Sequence, residues 1–337
     1  MNKQFSNSST DSNFSGISNI SNNSFSSSIN SFPSFLGIIT FYFSQTYLSE
    51  YFEKKENFIK NHYDKKNDQY EGFYLFLDAL KIIKNKKIQD FKNKINKLEA
   101  YKDKKGNKIQ NEKINKTSLE KINFFIFNDI IFENIKILVG KEKNKERIHS
   151  PEIESRGKGK TLEQAIKQYE EGIKNVLEEI KNFSDFFLTK EIKNDSDSGG
   201  YKIAKRFYFV INMNDIPKDL NINTIEYYLE KQKKKIYSYP NILIFLFISS
   251  NNIDYKIKYE KEMTLKLYNG NEQKFLFNSI IFEDREDNEY KIVVKNNNNN
   301  NNKSIFFDNH KIEENYFFDE SNNEKKGNIV MLIYKKN

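Results

Sequence analysis

Tyr239-Pro240-Asn241-Ile242-Leu243-Ile244-Phe245-Leu246-Phe247 (YPNILIFLF) places a proline and an asparagine directly ahead of an unbroken apolar run. A run this short, bounded by turn-forming residues and rich in Ile and Phe, predicts a strand over Ile242–Ile248. The same alternating or continuous patterning predicts strands at Phe207–Met213, Met263–Tyr268, Phe275–Phe282, Tyr290–Lys295, Ser304–Phe307 and Ile329–Tyr334. Within this half only Asn223–Gln232 carries a helical pattern.

Upstream of these strands the period is helical. Pro33 suits a first helical position with Ser31 or Phe32 as cap, and Phe35, Ile38, Ile39, Tyr42 and Phe43 follow at helical spacing. Phe73–Ile83 and Ile88–Leu98 read as helices, and apolar residues resume over 118–138. Thr161 to Phe183 predicts one long helix, with Leu162, Ile166, Tyr169, Ile173, Val176, Leu177 and Ile180 on a single face. Residues 102–116 and about 141–158 read as inserted surface loops, and Asp195–Gly200 (DSDSGG) as a flexible turn. The seven asparagines at 296–302 read as an expanded hairpin loop. Residues 1–29 form a Ser/Asn-rich tail too poor in apolar surface to offset chain entropy, and are expected to be disordered. Helices first and antiparallel strands later predict an α+β fold over 30–337: a helical part at 30–187 and a β-rich part at 188–337.

Composition narrows the chemistry. The 337 residues are 37% hydrophobic and 15% aromatic with no Trp, so the core must come from Phe, Tyr, Ile and Leu. The 55 basic and 47 acidic residues give a net charge of +8, but they are interleaved, which argues against direct nucleic-acid binding. The densest basic cluster, Lys231, Lys233, Lys234 and Lys235, is too short to change that reading. The absence of cysteine excludes disulfides, thiolate nucleophiles and cysteine zinc sites. With His62, His149 and His310 scattered, no metal-ligand spacing is present, and no cofactor or metal is expected. No secretory signal is evident in residues 1–30, and a reducing, intracellular compartment, cytoplasmic or nuclear, is expected. The apolar run Phe32–Leu48 is interrupted by Ser34, Thr40, Ser44, Gln45 and Thr46, which suits a buried helix and no membrane association.

Five C-terminal segments, taken in order, resemble the ubiquitin-specific protease family (peptidase C19, ubiquitin carboxyl-terminal hydrolases). The 239–247 stretch is similar to that family's Leu-Pro-then-aliphatic strand. Phe275–Phe282 (FLFNSIIF) resembles the strand leading toward the catalytic histidine, and Asn288–Lys295 (NEYKIVVK) the Gly-His-Tyr strand. Phe306–Ile312 (FFDNHKI) resembles the aromatic-x-Phe-Asp-Asp segment, and Asn328–Lys335 (NIVMLIYK) the terminal strand. Asp215–Gln232 resembles the helix before the Pro strand, 161–187 the long thumb helix, and Asn30–Phe52 the helix that carries the nucleophile. The resemblance implies a papain-like ubiquitin-specific protease fold, with a helical thumb and an antiparallel β palm and fingers.

It also implies that the chemistry has degenerated. The family sets a Cys at a helix N-terminus, where the dipole favours thiolate, beside a His oriented by Asp or Asn. Here the Cys position falls on Pro33, or on Phe32 with one insertion; the His position falls on Glu289, and Asp308 alone keeps its type. The oxyanion-hole region reads Asn30-Ser31, the helix Gln is Thr40, the Arg closing the Pro strand is Ser249, and the fingers' zinc-binding Cys pairs are absent. Ser34 has no base with a near-neutral pKa placed beside it by spacing, so it reads as a first-turn helix residue. The expectation is therefore a pseudo-deubiquitinase that acts as a scaffold, with ubiquitin or a multiprotein assembly as partner. Two other readings stay open: a deubiquitinating cysteine-type hydrolase by homology only, and an unrelated α+β structural or interaction protein.

Overall fold

The protein is seen here as a computed structural model that describes residues 46–62, 71–84, 97, 132–142, 158–174, 176–195, 199–249, 257–284, 289–295, 303–307, 312–317 and 328–337. The N-terminal tail, the first predicted helix around Pro33–Phe43, nearly all of Ile88–Leu98, and the loops at 102–116 and 296–302 lie outside these residues, as does all of the 141–158 loop except its first two residues and its last.

The predicted strand at YPNILIFLF is β6 (Ile242–Ile248), and six consecutive residues of it are buried. Ile242, Ile244 and Leu246 enter one hydrophobic cluster while Leu243, Phe245 and Phe247 enter another. Successive side chains point to opposite faces of a sheet, so an unbroken apolar run belongs to a strand covered on both sides. Around β6 run β4 (Phe209–Asn212), β7 (Glu262–Lys266), β8 (Glu272–Asp284), β9 (Glu289–Lys295), β10 (Lys303–Phe307), β11 (Ile312–Phe317) and β12 (Asn328–Lys336). They form an eight-stranded sheet in the order β11-β10-β9-β8-β12-β6-β4, with β7 on β8. The long strand β8 pairs with β12 along residues 275–283, which leaves its other edge to β9 at 279–284 and β7 at 272–276.

The β8–β12 ladder contains two offsetting irregularities. Val330 is extra on β12 and Asn278 is extra on β8, so the register lost at one bulge is recovered at the other. Asn278 is buried, and its Oδ1 accepts a hydrogen bond from the equally buried Ser279 hydroxyl at 3.2 Å.

One face of the large sheet is covered by helices. Phe52 and Ile59 of α1 (Thr46–His62), Phe73 and Leu75 of α2 (Glu71–Lys84), and Ile135, Leu138 and Val139 of α3 (Glu133–Glu142) share a core with β6, β8, β9 and β12. Ile180, Phe183 and Phe187 of a further helix, Glu178–Phe187, complete it, with Phe183 stacked on Phe132 at 5.6 Å. The opposite face carries Ile225 of Thr224–Lys231, Met213 and Ile216, and a second core centred on Phe245 and Tyr334.

A separate four-stranded sheet has the order β1-β3-β2-β5, from Lys158–Gly159, Gly200–Arg206, Thr189–Asp195 and Lys235–Ser238. Its cover is the helix Leu162–Lys174, through a small cluster of Tyr169, Ile192 and Ile203 with Leu162, Ile166, Ile173, Tyr201 and Tyr237. Numbering in chain order makes Leu162–Lys174 α4, Glu178–Phe187 α5 and Thr224–Lys231 α6.

Seven predicted strands and two predicted helices (at 73–83 and 223–232) are present, with ends moved by one to three residues or so. Four expectations change. The single helix over 161–183 is two, α4 ending at Lys174 and α5 starting at Glu178, with Leu177 between them in an extended conformation (φ −58°, ψ 135°). The cause is that α4 buries Tyr169 against the small sheet while α5 buries Ile180 and Phe183 in the helical core, and one straight helix cannot face both. The large sheet is mixed rather than antiparallel, because β4 pairs with β6 in parallel. The chain between them leaves the sheet through the 3₁₀ turn Met213–Asp215, α6 and β5, the crossover that a parallel pair requires. Finally, β1, β2, β3, β5 and β11 lie where no strand was expected, with β1 inside the helical half and its Lys158 in the expected 141–158 loop. The predicted loop also begins late, since α3 runs through its first two residues to Glu142.

Candidate functional site

Glu289 opens β9, with its Cα opposite that of Asp284 on β8. Three residues on, Ile292 pairs with Phe307, the last residue of β10 and the one directly before Asp308. The strand bearing Glu289 and the strand leading into Asp308 are thus hydrogen-bonded neighbours. Pro33 and Asp308 themselves lie outside the described residues, as do Asn30, Ser31, Phe32, Ser34, Thr40 and His310. Ser249 directly follows β6 and is exposed. The chain has no cysteine at all, so a cysteine-protease nucleophile is absent. Among the described residues no three His, Asp or Glu side chains gather in a way that could hold a metal ion, and no helix is long and apolar enough to cross a membrane.

The concentration of charge that the sequence reading missed lies on the small sheet. Glu191, in the middle of β2, is buried, yet three cations reach it: Lys234 Nζ at 2.9 Å, Arg206 Nε at 3.0 Å and Lys193 Nζ at 3.8 Å. Burial by itself would raise the carboxyl's pKa, but Arg206, Lys234 and Lys193 together hold it below the ordinary value. Lys193 is pulled down from the usual lysine range, first by burial and then by Arg206, Lys234 and Lys202, against the single upward influence of Glu191. At the end of β2 the fully buried Asp195 carboxylate accepts from Lys202 Nζ at 2.9 Å and has Lys158 Nζ at 3.8 Å. Where β2 meets α5, the buried Lys190 pairs with Asp185.

The opposite face of this sheet is aromatic. Tyr169, Tyr237 and Tyr268 form a ladder, with centroids 5.5 Å apart for the first pair and 5.8 Å for the second, and Lys205 lies over the Tyr169 ring. Tyr237 donates to Glu170 at 2.8 Å, and burial together with that carboxylate raises its phenol pKa well above the ordinary value. The amide of Tyr268 donates to the Ile236 carbonyl, which ties the β7–β8 hairpin to β5 and so joins the two sheets.

The charged groups on this sheet are held by one another: Lys193, Arg206 and Lys234 by Glu191, and Lys158 and Lys202 by Asp195. The only trace of this arrangement in the sequence is alternation, Lys-Glu-Ile-Lys-Asn-Asp at 190–195 and Lys-Ile-Ala-Lys-Arg at 202–206, flanking the DSDSGG turn. The alternation is too sparse to register as strands, since only Ile192 of β2 and Tyr201 and Ile203 of β3 supply apolar residues to the cluster under α4. Lys234 and Lys231, singled out as a basic cluster, are occupied by Glu191 and by the Asp215 carbonyl at 2.8 Å.

No family model and no curated protein matches the chain. Solved structures match it in fold. A SAGA Ubp8/Sgf11/Sus1/Sgf73 DUB module with a shortened Sgf11 superposes with a TM-score of 0.54 at 10% identity, over 96% of this chain and 69% of the other. The SAGA Ubp8 DUB module bound to ubiquitin aldehyde superposes with a TM-score of 0.52 at 12% identity, over 91% of this chain and 68% of the other. An essential yeast splicing factor matches more loosely, with a TM-score of 0.41 at 11% identity, over 72% of this chain and 53% of its own. The present chain therefore spans about half of that factor and about two thirds of the deubiquitinase-module chains. At such identities the likeness is one of architecture: this is a ubiquitin-specific-protease-like fold.

Proposed function

We propose that this chain, built on a ubiquitin-specific-protease-like fold, is a catalytically inactive relative that serves as a ubiquitin- or protein-binding scaffold in a multiprotein assembly. The observation that carries the reading is the conjunction of that fold with 337 residues containing no cysteine. A fold can keep its docking surfaces after its nucleophile is lost, since binding depends on complementary area and hydrogen bonds rather than on one reactive atom. The degenerate positions are Pro33, Glu289 and Asp308, which hold no thiol and no imidazole. One solved relative in fold is a module bound to ubiquitin aldehyde, which makes ubiquitin the first partner to test. An intracellular site of action, cytoplasmic or nuclear, belongs to the same proposal.

Two measurements test it. Calorimetric titration with mono-ubiquitin is expected to show saturable heat, and a fluorogenic ubiquitin substrate is expected to remain uncleaved above buffer. Cleavage that disappears on Ser34→Ala would overturn the inactive reading. No heat at high ubiquitin concentration would remove ubiquitin as the partner.

A further inference from the structure

We propose that the face of the small sheet turned away from α4 docks an extended, acidic segment of a partner protein. The sheet is two-sided in chemistry. Ile192, Ile203 and Tyr201 face α4, and an added Cβ on Gly159 would meet the Ala165 backbone nitrogen of that helix at 2.6 Å. Neighbouring positions in a strand point the other way, so Lys158, Lys202 and Lys193 stand on the far face.

These three lysines form a row. Lys158 is directly opposite Lys202 across β1–β3, and Lys202 is directly opposite Lys193 across β3–β2. Like charges at directly opposed positions destabilise a sheet, and three strands spaced about 4.8 Å apart place the row within about 10 Å. Arg206 and Lys234 extend it toward β5 through their shared contact with Glu191. Five cations surround two carboxylates, Glu191 and Asp195, whose side chains are 5% and 0% exposed. The acids lie beneath and the cations above: the Lys158, Lys193 and Lys202 side chains are 50%, 39% and 31% exposed. Among the described residues, three positive charges on this face are left over.

An anionic occupant relieves this repulsion, and an acidic protein segment fits better than nucleic acid. The positions on this face (Thr189, Glu191, Lys193 and Asp195 of β2; Gly200, Lys202, Ala204 and Arg206 of β3; Lys158 of β1; and Ile236 of β5, buried in the second core) carry no aromatic side chain, and Phe209, whose ring lies under Arg206, is fully buried and so closed to a base. In an extended acidic segment, side chains return to one side every second residue, a spacing of about 7 Å that can answer a short row of ammonium groups. The proposal is independent of whether ubiquitin binds elsewhere on the chain.

Fluorescence anisotropy with a short labelled Asp/Glu peptide tests it, alongside a labelled single-stranded oligonucleotide. The informative variant is Lys158→Gln/Lys193→Gln, because Asp195 keeps Lys202 and Glu191 keeps Lys234 and Arg206, so the fold retains its nearer ion pairs. The matched control is Lys181→Gln/Lys266→Gln, two exposed lysines off this sheet. The expected result is salt-sensitive peptide binding, weakened about tenfold by the first variant and less than about twofold by the control. Absence of peptide binding, equal weakening by both variants, or tighter binding of the oligonucleotide would each overturn the proposal.

Discussion

At Glu191 a buried carboxylate remains ionised because three cations converge on it. Removing one member of such a group leaves the others unbalanced, and Glu191→Gln is expected to destabilise the protein by about 2–4 kcal/mol in urea denaturation. The pH dependence has a definite sign. The folded pKa lies below the unfolded one, so the contribution is fully present above about pH 5 and is lost as pH falls through the lower folded value. Wild-type and Glu191→Gln unfolding curves should therefore converge on acidification, and a gap that widened toward low pH would contradict the assignment. Glu56 behaves in the same sense at the surface: the Lys81 and Lys60 ammonium groups hold it at about 2. None of this was legible in the sequence. A Glu between two lysines on a charged strand reads as solvated, and only the pairing of β2 with β3 and β5 brings Arg206 and Lys234 to it.

Two glycines permit close packing at the small sheet, Gly159 where α4 meets β1 and Gly200 where β3 meets β1. A Cβ at Gly159 would meet backbone of α4 below 3 Å, and one at Gly200 would lie 2.2 Å from the Gly159 carbonyl oxygen. Neither obstacle is the end of a flexible side chain. Gly159→Ala is expected to lift α4 from β1–β3, raising amide exchange in α4, β2 and β3 while β6 and β12 stay protected. Loss of protection in β6 to the same degree would show that the two sheets open as one unit. The start of α4 is fixed locally by a reciprocal cap: Thr161 Oγ1 accepts from the Gln164 amide and Gln164 Oε1 accepts from the Thr161 amide, both at 3.3 Å. The end of α4 is not fixed this way. Apolar spacing continues from Ile173 through Val176 and Leu177 to Ile180, which is why the sequence reads as one helix. The break is imposed by two cores lying in different directions.

For the molecule as a whole, the large sheet is a partition between two cores, and Phe245 holds the second by stacking on Phe209 at 5.5 Å and meeting Tyr334 edge-on at 6.2 Å. Phe245→Ala should cost about 3–5 kcal/mol by urea denaturation, with an unchanged slope if the transition stays two-state. Apolar patterning together with bounding turn residues marked every strand of this partition except β11, because a strand buried on both faces is apolar at every position, as in Ile242–Ile248. The missing thiol was equally a property of composition, since no arrangement of the backbone can supply an absent atom. Tertiary structure decided what periodicity does not encode: the parallel pairing of β4 with β6, the division of α4 from α5, and the gathering of Lys158, Lys193, Lys202, Arg206 and Lys234 about two buried acids. Those features rest on contacts between residues far apart in the chain, whose energies depend on distance and burial and leave no local pattern to read.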